Sequence, residues 1–142
     1  MTNFEQHKKN VLISCVAKKR NTSALAREIY ISPLFKGAYR YAHKLSADRI
    51  FILSAKYGLL EENDIIEPYD DTLNTKSVAE VRAWAKNILI ALSQKTNLQE
   101  DEFVFLAGDK YRKYLIDNLR YFSVPLKGLP IGKQLAFYKE NL

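Results

Sequence analysis

The chain has 142 residues, 47% of them hydrophobic and 27% charged, with a net charge of +6 and one cysteine, Cys15. That is enough chain for one globular domain with a core of its own, and it excludes an internal disulfide and a disulfide-built scaffold. No apolar stretch approaches the roughly 20 residues of a membrane span, and the polar start "MTNFEQHKKN" lacks the apolar middle of a signal peptide, so the expectation is a cytoplasmic protein with no membrane partner.

The first element in chain order is "VLISCV" (11–16), a continuous apolar run of the kind that fills a strand buried on both faces. It runs straight into Lys18, Lys19 and Arg20. Ser32-Pro33 then reads as an N-cap followed by proline at the first helical position. Leu34, Phe35, Ala38, Tyr41, Ala42 and Leu45 form the apolar stripe of that helix. A second buried strand is expected at "RIFILSA" (49–55). The acidic stretch follows, with six of the chain's sixteen carboxylates between Glu61 and Asp71, which leaves 22 basic against 10 acidic side chains elsewhere. "SVAE" (77–80) is a capping box, and Val78, Val81, Trp84, Ala85, Ile88, Leu89 and Leu92 continue its helix. "EFVFLAG" (102–108) is the third strand. A third helix is expected from Asp109, burying Tyr111, Leu115 and Leu119. "SVPLKG" (123–128) suggests a short further strand, and the tail from Gly132 a last helix.

Strands alternating with helices imply an α/β fold: a three-layer sandwich with a mainly parallel central sheet, formed by residues 1–142 as a single domain. Ligands of such sheets bind outside the carboxyl ends of the strands. Ser14, Cys15 and Lys18 close the first strand. Ser54, Lys56, Tyr57 and Gly58 close the second, and Gly108, Tyr111 and Arg112 the third. Hydroxyls, cations and glycines at three strand ends suit an anion-binding rim, although each end alone also suits a solvated loop. "IIEPYDDTL" (65–73) is a turn-rich segment. Its Asp70 either orients a water or stabilises a positively charged sugar, or else caps a turn; Thr72 follows it.

No cofactor is expected, since neither a Walker loop nor a G-x-G-x-x-G is present. No metal is expected either, because His7, His43 and Cys15 lack ligand spacing. Cys15 suits a small buried hydrophobe better than a nucleophile.

The motifs "SCVAKKR", "ALAREIYISPLFKGAYRYA", "ILSAKYGLLEENDIIEPYDDTL", "LAGDKYRKYL" and "VPLKGLPIGKQLAFY" together span nearly the whole chain. They resemble a family of small bacterial and phage proteins known as a domain of unknown function. More distantly they are similar to the YaaA peroxide-stress family and to folds of the uracil-DNA glycosylase type. The resemblance puts signature positions at Cys15, Lys18, Ser54, Lys56, Tyr57, Gly58, Pro68, Tyr69, Asp70, Thr72, Gly108, Tyr111, Arg112, Gly128 and Gly132. "EPYD" is similar to the proline-tyrosine turn of uracil-DNA glycosylases, but that motif's flanking residues are missing, so uracil excision is not implied.

The leading expectation is a protein that binds a nucleotide, a modified nucleobase or nucleoside, or a nucleic-acid end. Lys18, Lys56 and Arg112 would converge on its phosphate and Tyr57 or Tyr111 would stack on the base. If there is turnover, it is N-glycosidic hydrolysis with Asp70 as the catalytic carboxylate, held near the Lys56 ammonium. The rivals are a non-catalytic stress or nucleotide-sequestering protein, with nucleic acid as an alternative partner, and a structural protein whose acidic segment meets another copy. Oligomeric state is left open.

Overall fold

Five strands form the central sheet. In chain order they are β1 (Lys9–Ser14), β3 (Arg49–Ser54), β4 (Gly58–Glu61), β6 (Glu102–Leu106) and β7 (Tyr121–Ser123), and across the sheet they run β4-β3-β1-β6-β7. A computed structural model describes residues 7–14 and 19–142 of the chain. β1 pairs in parallel with β3 on one side and β6 on the other, and β7 is parallel to β6. Only β4 is antiparallel, folding back on β3 with Leu53 opposite Leu59.

Because side chains alternate along a strand, each continuous apolar run supplies two cores. Val11 and Ile13 of β1, Ile50 and Ile52 of β3 and Val104 and Leu106 of β6 face one way. They pack on α1 (Ala26–Ile29), α2 (Pro33–Lys44) and α5 (Ile131–Asn141). Leu12, Phe51, Leu53, Phe103 and Phe105 face the other way, onto α3 (Val78–Lys95) and Tyr111 of the short helix α4 (Asp109–Arg112). The result is the three-layer α/β sandwich.

Both helix starts form as their sequences dictate. Ser32 Oγ accepts from Phe35 N at 3.2 Å, with Pro33 in the first turn. Ser77 and Glu80 close a reciprocal box, Ser77 N donating to Glu80 Oε1 at 2.9 Å and Glu80 N to Ser77 Oγ at 3.2 Å. The Ser77 amide and hydroxyl hold the Glu80 carboxyl below its ordinary range. The third helix is shorter than its periodicity suggests. It stops at Arg112, and a 3₁₀ turn at Ile116–Asn118 carries the chain to β7. β7 itself covers Tyr121–Ser123, so "PLKG" is turn rather than strand. The periodic pattern did not mark β4, nor the small antiparallel pair β2 (Ala24–Leu25) and β5 (Ile65–Ile66).

Gly37 of α2 packs directly against Tyr138 of α5. A Cβ there would lie 2.7 Å from Tyr138 Cδ2, on a ring only 4% exposed. Alanine should therefore destabilise the protein although it favours helix. Overpacking costs about 1–3 kcal/mol, and propensity returns at most about 1 kcal/mol of it. The net loss is read as a lower denaturation midpoint at unchanged slope; a stabilised Gly37→Ala protein would mean the two helices slide apart without cost.

Candidate functional site

The connections leaving β1 and β6 go to opposite faces of the sheet. From β1 the chain passes to Ala26 and Ile29 in the first core, and from β6 it passes to Tyr111 in the second. Neighbouring strands whose connections diverge leave a crevice at their carboxyl ends. A cavity of about 600 Å³ opens there, lined by Ser14 of β1 and by Ala107 to Arg112 beyond β6. Much of the remaining lining is apolar: Val124, Leu126 and Leu129 between β7 and α5, Ile131 at the start of α5, and Leu34 and Ala38 of α2.

The polar wall is built from the strand ends. Ser14 Oγ accepts from Gly108 N at 3.1 Å, tying the two strands together and leaving the hydroxyl proton to donate. Gly108 has φ −63, which any residue adopts, so its part here is its amide rather than glycine's freedom. Arg112 Nη1 donates to Ala107 O at 2.7 Å, which folds the side chain back across the cavity wall. The Arg112 side chain is 13% exposed, and its one carboxylate partner among the described residues, the exposed Asp109, stands 3.7 Å from Nη2. Most of its five N–H donors therefore have no acceptor among the described residues in a half-dry setting, where a charge-assisted hydrogen bond counts for more than at an open surface.

The segment 67–74 crosses the end of the sheet from one core to the other. At its start Glu67 N donates to Tyr57 OH at 3.2 Å. Tyr69 is buried in the first core, its hydroxyl 2.5 Å from that of Tyr30, with Lys19 Nζ 4.3 Å from its ring centroid. Four residues on, Leu73 is buried in the second core, and its amide donates to Tyr111 OH at 3.3 Å. Lys110 Nζ donates to Asn74 O at 3.2 Å, and Thr72 Oγ1 accepts from Asn74 N at 3.1 Å. Tyr57 follows β3, and Lys110 and Tyr111 follow β6, so the segment links the carboxyl ends of these two strands, between which β1 lies. Asp70 and Asp71 are exposed on this crossing.

The residues singled out from sequence divide into three groups. Ser14, Gly108, Tyr111 and Arg112 line the cavity. Tyr111, however, is 4% exposed, edge-on to Trp84, with its hydroxyl accepting from Leu73 N; it anchors the crossing segment and offers no face for stacking. Ser54, Lys56, Tyr57, Gly58, Asp70 and Thr72 lie outside the lining. Ser54 is fully buried and holds the β3–β4 turn: its Oγ accepts from Lys56 N at 3.2 Å and Tyr57 N at 2.9 Å, and its carbonyl from Trp84 Nε1 at 2.8 Å. Gly58 starts β4 at φ +78, where a side chain would be strained. Lys56 Nζ stands 5.4 Å from the centroid of Tyr57, and no ion pair joins it to Asp70 among the described residues. Cys15 and Lys18 lie outside the described residues.

Sequence reading missed Lys110, Gln134 and the apolar wall from Val124 to Ile131. "GDKYR" and "GKQLAFY" contain the first two, but nothing in their spacing says that they face one cavity.

Three of the six carboxylates of the acidic stretch are occupied with one another's backbone or with neighbours. Glu61 pairs with Lys95 at 2.9 Å and Arg49 at 3.2 Å, chiefly the former holding its carboxyl below the ordinary range. Glu62 Oε1 accepts from Tyr39 OH at 2.5 Å, and burial together with that carboxylate pushes the phenol up to about 12. Asp64 Oδ2 accepts from Glu61 N at 2.8 Å. Among the described residues no three His, Cys, Asp or Glu side chains gather as a metal site would, and no helix is long and apolar enough to cross a membrane.

A family model described as "Family of unknown function (DUF6884)" matches residues 11–140. No curated protein matches the chain.

Proposed function

The chain belongs to this family of unknown function, and for it we propose that the cavity between β1 and β6 binds a nucleotide or another nucleobase-bearing anion in the cytoplasm. One observation carries the reading: Arg112, an obligate cation that is 13% exposed, lines a cavity of about 600 Å³ with most of its donors unclaimed by the described residues. A guanidinium so placed suits a phosphate, which it can take bidentately, beside the Ser14 hydroxyl. The apolar part of the lining, Val124, Leu126, Leu129 and Ile131, offers a surface for a planar base. The volume falls within the range of about 300–1,000 Å³ usual for small-molecule sites. A bacterial and phage family with a fold of the uracil-DNA glycosylase type is part of the same reading, since a nucleobase is what such a fold handles.

The test is native mass spectrometry of the freshly purified protein, followed by calorimetric titration with nucleosides, nucleoside monophosphates, short single strands and inorganic phosphate. Monophosphates should bind more tightly than either the nucleoside or phosphate alone. Equal, weak binding of all of them would remove the proposal. Tighter binding of the strands than of any mononucleotide would move it to a nucleic-acid end.

Binding without turnover is favoured over N-glycosidic hydrolysis by the state of Asp70, which is exposed and has no hydrogen bond or ion pair with a described residue. A catalytic carboxylate needs to be held where charge develops on the sugar, and nothing described holds this one. Asp70→Asn should therefore leave affinity for a monophosphate within about threefold, or tighten it slightly by removing a negative charge near the rim. Release of free base by the wild type, abolished in Asp70→Asn at unchanged affinity, would restore the hydrolase. The structural alternative is weakened because Glu61, Glu62 and Asp64 are already partnered within the chain.

A further inference from the structure

Gln134, in the second turn of α5, is a polar side chain on the cavity that no phosphate needs. Its Nε2 donates to Leu129 O at 2.8 Å, closing the turn that leads from β7 into α5. A carbonyl can only accept, so this bond settles which end of the carboxamide is nitrogen and which is oxygen. Oε1 takes no hydrogen bond from a described residue. It is not sealed off either, since the one fully buried side-chain polar atom without a partner among the described residues is Asn10 Oδ1. Gln134 thus offers an acceptor oriented by Leu129, on a cavity that Leu126, Leu129, Ile131 and Arg112 also line.

We infer that Gln134 reads the base of the nucleotide bound in this cavity, its Oε1 accepting from an N–H on the edge of that base. The inference rests on the reading of the cavity given above and names what the ligand must carry: a phosphate at the Arg112 end and an amino or imide N–H at the Gln134 end. A base without such a group, or with it alkylated, leaves the acceptor facing apolar carbon and loses a hydrogen bond with nothing in exchange.

The experiment titrates matched nucleoside monophosphates that differ in the donor: adenosine against purine riboside, and uridine against 3-methyluridine. The member with the N–H should bind about 3- to 10-fold more tightly in the pair whose ring the site accepts, the range of one ordinary hydrogen bond. Gln134→Met should bring that ratio to within twofold while phosphate-bearing ligands still bind. Equal affinities within both pairs in the wild type would overturn the inference and leave the cavity's anion reading standing. A ratio unchanged in Gln134→Met would overturn it as well. No binding of any monophosphate would remove the site itself.

Discussion

Arg112→Met should weaken binding of a nucleoside monophosphate by about 10- to 100-fold, because hydrogen bonds to a charged partner contribute about 1.5–3 kcal/mol and this guanidinium is the half-buried one. Methionine keeps most of the side chain's bulk, so the cavity wall stays filled while the charge and the fork are lost. Arg112→Lys should recover part of the loss but not all of it, since an ammonium offers no planar pair of donors. Stability should fall only by the value of the Nη1 bond to Ala107 O, about 1 kcal/mol. The decisive control is Lys56→Ala. Lys56 follows β3 in sequence much as Arg112 follows β6, yet its ammonium stands over Tyr57 and away from the cavity lining. Its removal should cost less than about threefold, and that small cost should vanish in salt. If both variants lose affinity alike, the ligand sits on the open rim over β3 and the cavity is not its site.

That contrast shows how far sequence reaches in this chain. The runs around Leu12, Phe51 and Phe105 announce strands buried on both faces, and the Ser32-Pro33 and Ser77–Glu80 caps announce helix starts, because each signal is local. Strand order is not local. That β6 sits beside β1, with β3 on the far side, decides which strand ends share a cavity, and no residue near Ser14 or Gly108 encodes it alone. Ser54 illustrates a second limit. In sequence it is a hydroxyl at a strand end, like Ser14, but the antiparallel return of β4 turns it inward, where it holds the turn through the amides of Lys56 and Tyr57. Tyr111 fails in a similar way: an aromatic after a strand suggests stacking, and only the packing of Trp84 and Leu73 shows it to be a strut. Gln134 was invisible for the opposite reason. It lies on the last helix, and only the close packing of α5 against α2 brings it to a cavity made elsewhere.

Leu73→Ala should be the most destabilising of the changes considered. Leu73 is 1% exposed and packs in the second core from a single 3₁₀ turn, Leu73–Thr75, so its truncation leaves a hole that a tightly crossing segment cannot easily collapse into. Leu→Ala changes at such sites cost about 2–5 kcal/mol, a large share of the roughly 5–15 kcal/mol by which a domain is stable. The effect on the site follows from the same pin. Residues 70–72 span from Tyr69 in one core to Leu73 in the other, and Asn74 on the cavity wall comes immediately after. Loosening Leu73 should therefore weaken monophosphate binding even under conditions where the protein remains folded. Tyr111→Phe separates the two contributions: it keeps the ring against Trp84 but leaves the buried Leu73 amide without an acceptor, at about 1–3 kcal/mol. Because both changes act on one anchor, the double variant should lose less than the sum of the singles, by at least about 0.5 kcal/mol. Denaturation midpoints for the four proteins of that cycle give the answer. Strict additivity, or a Leu73→Ala cost below about 1 kcal/mol, would mean that the crossing is held from its Tyr69 end alone, and Asn74 would then have no fixed place on the cavity wall.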